Sequence, residues 1–180
     1  METLGLSFEI VTADTDESST LSDPRALVEE LSLRKGEAVL ALLREQGRDL
    51  SDTVVISSDT VVSVDGRILG KPHSEAEAKE MLAALAGRTH EVVSGICLLA
   101  QDRRGVAHEV TQVSFDEMDE ATIARYVQIC QPYDKAGAYA IQGMASAWIK
   151  GIHGCYFNVV GLPIHRMNTL YREIFGENLL

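Results

Sequence analysis

Apolar residues recur at helical spacing through residues 22–47, and this pattern predicts a long amphipathic helix. The apolar positions are Leu27, Leu31, Val39, Leu42 and Leu43. A Ser-Asp pair followed by Pro24 suits the first turn, and Gly47 follows the expected end. Gly36 lies near the middle of the segment and is expected to weaken the helix there.

Alternating and β-branched residues predict the strands. Residues 6–11, LSFEIV, alternate and predict a short strand near the start of the chain. Residues 53–64 predict a strand, a polar interruption and a second strand, and Asp65-Gly66 predicts a hairpin turn after them. Residues 89–101 and 107–118 predict two long strands that pair across the turn between them.

Three further helices are expected. Ser74 and Glu77 form a capping box before the first of them. Residues 119–130 predict a short helix, and residues 163–177 predict a closing helix. Residues 146–163 predict a hairpin or a bent strand. This mixture of helices and antiparallel hairpins is typical of a mixed α/β fold, and not of a regular βαβ repeat.

Length and composition are those of one soluble globular domain, or of two tightly joined lobes. The chain has 180 residues, of which 46% are hydrophobic and 24% are charged. No apolar run approaches the roughly 18–20 residues that span a bilayer, so no membrane association is expected. The three cysteines are widely separated and odd in number, and no secretory signal is recognisable, which together predict a cytoplasmic protein with reduced thiols.

The formal net charge of -11 argues against a broad basic surface, so no nucleic-acid partner is expected. An anionic substrate would need local lysine or arginine, helped by a divalent metal cation. Solubility alone also accounts for an acidic surface, and it is the simpler explanation of the overall charge.

Local patterns single out a few polar residues without deciding their roles. Asp59 follows β-branched residues, where a buried carboxylate needs a partner or a metal, but it equally suits a tight turn between strands. Lys71 either faces a phosphate or is a solvated loop lysine, and Pro72 excludes a P-loop. Lys35 on the long helix and Glu17 in an acidic loop are, in isolation, ordinary exposed charges.

The run YDKAGAYAIQG, residues 133–143, suits neither a helix nor a strand. It combines the charged pair Asp134-Lys135 with small residues that let the backbone approach other groups closely, and it ends on the lone amide of Gln142. The five histidines have no metal-ligand spacing, and no serine lies in a Gly-x-Ser-x-Gly elbow, so a covalent mechanism is not indicated.

Five motifs taken together resemble one protein family. SSDTVV, GRILGKP, LAGRTHEVVSG, DKAGAYAIQG and NVVGLP occur in the order and approximate spacing of the Maf-type nucleoside triphosphate pyrophosphatases, the septum formation inhibitor family. The resemblance covers nearly the whole chain and implies one domain over residues 1–180. The implied fold is α/β, with an elongated mixed sheet flanked by helices and two lobes around a nucleotide cleft, like that of inosine triphosphatase.

The same resemblance implies hydrolysis of a nucleoside triphosphate to the monophosphate and pyrophosphate, with magnesium or manganese. Asp59 matches the family's catalytic aspartate, a general base or a metal-linked activator of water. Glu17 matches a second acid that helps Asp59 to hold the metal. Lys35 and Lys71 match lysines that face phosphate oxygens. A homodimer is also expected, since dimers occur in the family.

Substrate choice is expected to depend on Thr60 and Gln142. The form DKAGAY-x-IQG resembles the subgroup that acts on dTTP and UTP, and modified pyrimidine nucleotides are further candidate substrates. A glutamate in place of this glutamine resembles a sister subgroup for 7-methylated guanine nucleotides. The Gln142 amide has a donor beside an acceptor, which suits the O4 and N3–H edge of uracil or thymine.

The start of the chain departs from the family pattern. Family members begin with a strand and the motif Ser-x-Ser-Pro-Arg-Arg, whose arginines are expected to bind the triphosphate, and neither precedes Leu4-Gly5-Leu6 here. An N-terminally truncated domain is therefore expected, with an incomplete sequence favoured over a truly short chain. The rival functional hypothesis is a catalytically impaired nucleotide-binding or regulatory module of the same fold.

Overall fold

An antiparallel sheet organises the computed structural model, which describes residues 4–179. Its strands are β1 (Val55–Val64), β2 (Arg67–Leu69), β3 (Thr89–Leu99), β4 (Arg104–Phe115) and β5 (Ile149–His153). They lie in the order β2-β1-β3-β4-β5. The flanking helices are α1 (Pro24–Glu45), α2 (Glu75–Leu85), α3 (Glu120–Cys130), α4 (Tyr156–Val160) and α5 (Ile164–Phe175).

The predicted α/β class is confirmed, but the sheet is antiparallel throughout the described residues and not mixed. β2 turns back along β1 at Asp65-Gly66, where both residues have positive φ, as the hairpin prediction required. The segment containing α2 then brings β3 to the other side of β1, again antiparallel, and a second hairpin leads to β4. Within residues 4–179, every pair of neighbouring strands is therefore antiparallel.

Three local predictions differ from the structure. Residues 6–11 form no strand, because no neighbouring strand pairs with them in the described chain, and Ile10 is 81% exposed. The polar residues 57–59 do not interrupt β1, because β3 pairs with it continuously over residues 55–63. Residues 146–163 contain β5 but continue into α4, not into a second strand.

Helix α1 lies unusually close to the sheet at two glycines. A Cβ atom on Gly95 of β3 would overlap the carbonyl oxygen of Val28 in α1. A Cβ atom on Gly36 of α1 would lie 2.7 Å from Oγ of Ser57. Helix α1 is continuous through Gly36, and the missing side chain there lets the helix approach β1. Because Gly95 pairs directly with Asp59, the close contact lies beside that carboxylate.

The apolar core consists of one large cluster and three smaller ones. The large cluster joins α2 and α3 to Val62 and Phe115, while the smaller clusters contact α1 and α5. Among residues 4–179, no helix has both the length and the apolar character needed to cross a bilayer.

Replacing Gly95 by alanine is expected to displace α1, because its methyl group would overlap the Val28 carbonyl. We expect a loss of about 1–3 kcal/mol in the free energy of unfolding, the usual cost of overpacking. Urea denaturation measures this loss. Gly151→Ala is the matched control, since nothing lies within 4 Å of its added Cβ. Equal stability of the two variants would contradict the packing assigned to α1.

Candidate functional site

The outer edge of β1 is open where Asp59 lies. β3 pairs with β1 over residues 55–63, but β2 covers the other side only at residues 62–64. Residues 55–61 therefore have no strand neighbour on that side within the described part of the chain. The Asp59 side chain is only 10% exposed, so free backbone groups and a largely buried carboxylate occur together at this edge.

Lys35 joins two carboxylates that come from different parts of the chain. Its Nζ lies 2.6 Å from Oδ1 of Asp59 and 2.9 Å from Oε1 of Glu17. α1 carries the lysine over β1, and the acidic loop before α1 carries Glu17. Three residues that are ordinary charges in the sequence thus form one cluster.

Burial and pairing shift the pKa values of this cluster in different directions. Burial raises the pKa of the Asp59 carboxyl despite the opposing effect of Lys35, and the Glu17 charge adds to the rise. The hydrogen bond from Lys35 lowers the pKa of Glu17. Burial opposes the charge on Lys35, but its bonds to Asp59 and Glu17 raise its pKa overall. Asp59 is therefore the more basic carboxylate, while Lys35 remains a cation.

A cavity of about 390 Å³ adjoins this cluster. It brings together five of the residues singled out from the sequence: Lys35, Asp59, Thr60, Lys71 and Gln142. Glu17 is not part of the cavity wall and reaches it only through Lys35. The cavity therefore joins a charged region to neutral hydrogen-bonding groups, which suits a ligand with a phosphate chain and a polar ring.

Residues 133–143 form one wall of the cavity, as a turn and not as a regular element. Gly137 and Ala138 both have positive φ, 65° and 61°, and their 3₁₀ turn brings the backbone against the sheet. The Gly137 N–H donates to the Gly70 carbonyl at 3.0 Å, next to Lys71. Lys135 and Asp134 form the expected ion pair at 2.6 Å. Gln142 lies exposed at the end of this anchored turn.

His90 and Tyr139 support this wall, and the sequence analysis assigned neither a role. The Tyr139 hydroxyl and Nε2 of His90 are 2.8 Å apart. Both rings pack edge-on against Phe115, and His90 is 2% exposed. Burial lowers the pKa of His90 to about 4, so its ring is neutral near pH 7. The available signal was that His90 lies in a predicted strand two residues before Val92, and therefore on the same face of that strand.

The opposite wall of the cavity is formed by α4 and Gly161. It is held in place by further residues to which the sequence analysis assigned no role. The buried Asn158 amide donates to the Val92 carbonyl at 2.9 Å and to Oγ1 of Thr111 at 3.0 Å. Oγ of Ser94 donates to the Asn158 carbonyl at 3.2 Å and lies 2.7 Å from Oγ1 of Thr60. These bonds fasten α4 to β3 and β4 beside Thr60.

The two carboxylates of this cluster suit a divalent cation whose remaining ligands come from the substrate. Glu17 and Asp59 converge on one ammonium group, so both carboxylates face a position that already favours positive charge. No group of three or more His, Cys, Asp or Glu residues suited to a metal occurs within residues 4–179. Magnesium is commonly held by one or two carboxylates together with phosphate oxygens and water, and the pair meets that requirement.

The chain as a whole is similar to proteins of one family. A family model described as "Maf-like protein" matches residues 1–174. A protein of Pelotomaculum thermopropionicum named dTTP/UTP pyrophosphatase is 45% identical over 100% of this chain and 92% of its own length. Proteins of the same name from Bacillus cereus and Bacillus anthracis are 43% and 42% identical, each over 99% of this chain and 89% of its own length.

Acid is expected to destabilise the fold through His90. Its pKa is about 4 when folded, against about 6.5 when unfolded, so the unfolded chain binds the proton first. The contribution of neutral His90 to the free energy of unfolding is complete above pH 6.5 and is lost as the pH falls towards 4. By pH 5 the loss is about 2 kcal/mol, and His90→Gln should remove most of this dependence.

Urea denaturation between pH 5 and 7.5 measures the effect. His153→Gln, the same substitution at an exposed position, is the matched control. If His90→Gln and wild type lost equal stability between these two pH values, the neutral buried state of His90 would be refuted.

Proposed function

This chain belongs to the Maf-like protein family, and we propose that it hydrolyses dTTP and UTP to the monophosphate and pyrophosphate. The match over residues 1–174 confirms the family predicted from the five motifs. The relatives named for this activity align with 99–100% of the chain. One structural observation carries the proposal: a single cavity contains the Lys35–Asp59 pair, Lys71 and the Gln142 amide.

Asp59 is proposed to accept a proton from the attacking water. The water oxygen bonds to the α-phosphorus, the bond from that phosphorus to the bridging oxygen breaks, and pyrophosphate leaves with the electron pair. Burial supports this role because it raises the pKa of Asp59 above that of an exposed carboxyl. Lys35, 2.6 Å away, orients the carboxylate and faces the developing charge on phosphate oxygen.

Lys71 is proposed to bind the phosphate chain from the opposite side. It lines the cavity on a loop that is held by the bond from Gly137 to Gly70. Glu17 and Asp59 are proposed to hold a divalent cation, magnesium or manganese, which would neutralise phosphate charge when bound. Glu17 suits this role because its pKa is lowered, which keeps its carboxylate ionised.

Gln142 and Thr60 are proposed to contact the base. The Gln142 side chain is exposed at the end of a turn whose backbone is anchored at Gly137 and whose neighbour Tyr139 bonds His90. The exposed Gln142 amide can bond the O4 and N3–H groups of uracil or thymine. Small modified pyrimidines with the same edge would meet the same requirement.

We also propose that the protein is cytoplasmic, binds no nucleic acid and forms a homodimer. The net charge of -11 argues against a nucleic-acid partner. The free cysteines Cys97, Cys130 and Cys155 agree with a reducing cytoplasmic location. Homodimer formation is proposed on the family resemblance alone.

Release of pyrophosphate from dTTP or UTP in the presence of magnesium tests the activity. Asp59→Ala should lower kcat by roughly a hundredfold to ten-thousandfold, the usual contribution of a general base. Wild-type turnover that does not exceed that of Asp59→Ala would refute the proposal. That result, combined with retained dTTP binding in calorimetry, would favour the rival hypothesis that the chain is a catalytically impaired nucleotide-binding module.

Gln142→Glu should lower kcat/KM for dTTP and UTP by on the order of a hundredfold, because a carboxylate cannot donate to O4. The free energy of unfolding should change by less than about 0.5 kcal/mol, since the side chain is exposed. Gln128→Glu makes the same change at an exposed position on α3 and is the control. Equal kcat/KM for the Gln142→Glu and Gln128→Glu variants would exclude a base contact by Gln142.

A further inference from the structure

Carboxylates compensate the positive charge around the cavity. Lysines and carboxylates occur there together: Lys35, Lys71, Lys135, Asp59 and Asp134 line the cavity, and Glu17 reaches it through Lys35. Lys35 is held by two of these carboxylates and Lys135 by the third. A triphosphate carries several negative charges, so its binding favours a lysine that can leave its carboxylate.

Lys135 meets this condition better than Lys35. Its Nζ lies 2.6 Å from Oδ2 of Asp134, and the two side chains are 47% and 73% exposed. Lys35 and Asp59 are 25% and 10% exposed, so their pair is shielded from water. Water and salt screen an exposed pair, which therefore contributes little. Replacing the Asp134 carboxylate by a phosphate oxygen costs Lys135 correspondingly little.

The ion pair does not hold the turn that carries it. Asp134 and Lys135 are consecutive, so their contact joins no separate segments of the chain. The turn is held by its backbone, because the Ala138 N–H donates to the Lys135 carbonyl at 3.1 Å and the Gly137 N–H to the Gly70 carbonyl. These bonds fix the backbone of Lys135 beside the loop of Lys71 and leave its side chain exposed.

Lys71 and Lys135 act on the same carboxylate. The hydrogen bond from Lys135 lowers the pKa of Asp134, and the charge of Lys71 lowers it further. The charge of Lys71 also lowers the pKa values of Asp59 and Glu17, although burial raises that of Asp59 overall. Lys71 is thus within electrostatic range of both groups of carboxylates, and Lys135 extends the positive charge along the wall formed by residues 133–143.

We propose that Lys135 is a third lysine for the phosphate chain, and that Asp134 is the counter-ion from which substrate phosphate displaces it. Lys135 is then a binding residue, and Asp134 competes with the substrate for it. The inference rests on the proposed function and adds to it a phosphate contact from the wall that carries Gln142.

Calorimetric binding of inorganic tripolyphosphate and of dTTP, each with magnesium, tests the exchange. Lys135→Gln should weaken both by roughly tenfold to a hundredfold, the usual loss for a hydrogen bond to a charged group. Lys135→Arg should retain binding, because it retains the charge. Lys150→Gln is the control: it makes the same charge change at an exposed lysine that pairs with Asp116 and is not part of the cavity wall.

Asp134→Asn separates a phosphate contact from simple neutralisation of Asp134. This variant removes the competing carboxylate and should strengthen binding of tripolyphosphate by roughly threefold. Adding Lys135→Gln to it should still weaken binding, because the lysine contacts phosphate directly. If Lys135 only neutralised Asp134, the second substitution would have no effect in this background.

Three results would overturn the exchange: equal binding by the Lys135→Gln and Lys150→Gln variants, weaker binding by Asp134→Asn, or no tripolyphosphate binding by wild type. The binding measurements need no turnover, so they are independent of the proposed activity. Wild type that binds tripolyphosphate but hydrolyses neither dTTP nor UTP refutes the proposed function. Wild type that hydrolyses dTTP, with the same KM in Lys135→Gln, refutes the role of Lys135 alone.

Discussion

The close contact between α1 and β3 at Gly95 is the constraint on which the site depends. The Val28 carbonyl occupies the space that any side chain at Gly95 would need, and Gly95 is the register partner of Asp59. Seven residues, about two helical turns, separate Val28 from Lys35, so both lie on the face of α1 that packs on the sheet. The distance of 2.6 Å between Lys35 and Asp59 follows from this packing.

The same contact determines the electrostatics of the cluster. A helix packed against the backbone of the sheet excludes water from Asp59, and burial then raises the pKa of its carboxyl. Lys35 compensates the buried charge and is itself kept charged by Asp59 and Glu17. Burial prevails over pairing at Asp59, whereas pairing prevails over burial at Glu17 and Lys35. The result is one relatively basic carboxylate, one ionised carboxylate and one cation at the open edge of β1.

On the side of the cavity formed by the Gln142 turn and α4, hydrogen bonds hold these segments to the rest of the fold. The turn that carries Gln142 is held through Gly137 and Tyr139, and α4 is held through Asn158. Buried polar groups in such places cost stability unless they are bonded, and here their bonds join loops to the sheet.

The sequence by itself determined the α/β class, the caps and bounds of α1, the hairpin at Asp65-Gly66 and the family, because these depend on local periodicity, turn chemistry and motif order. Local patterns also singled out Asp59, Lys35, Lys71 and Glu17, but only the family resemblance gave them roles, since each has an ordinary local explanation. The tertiary structure decided what depends on neighbours. Residues 6–11 have the alternation of a strand but no neighbouring strand to pair with. Gly36, which has a low helix propensity, allows α1 to pack closely against the sheet. Ser94, His90 and Asn158 acquired roles only through contacts with residues distant in the sequence.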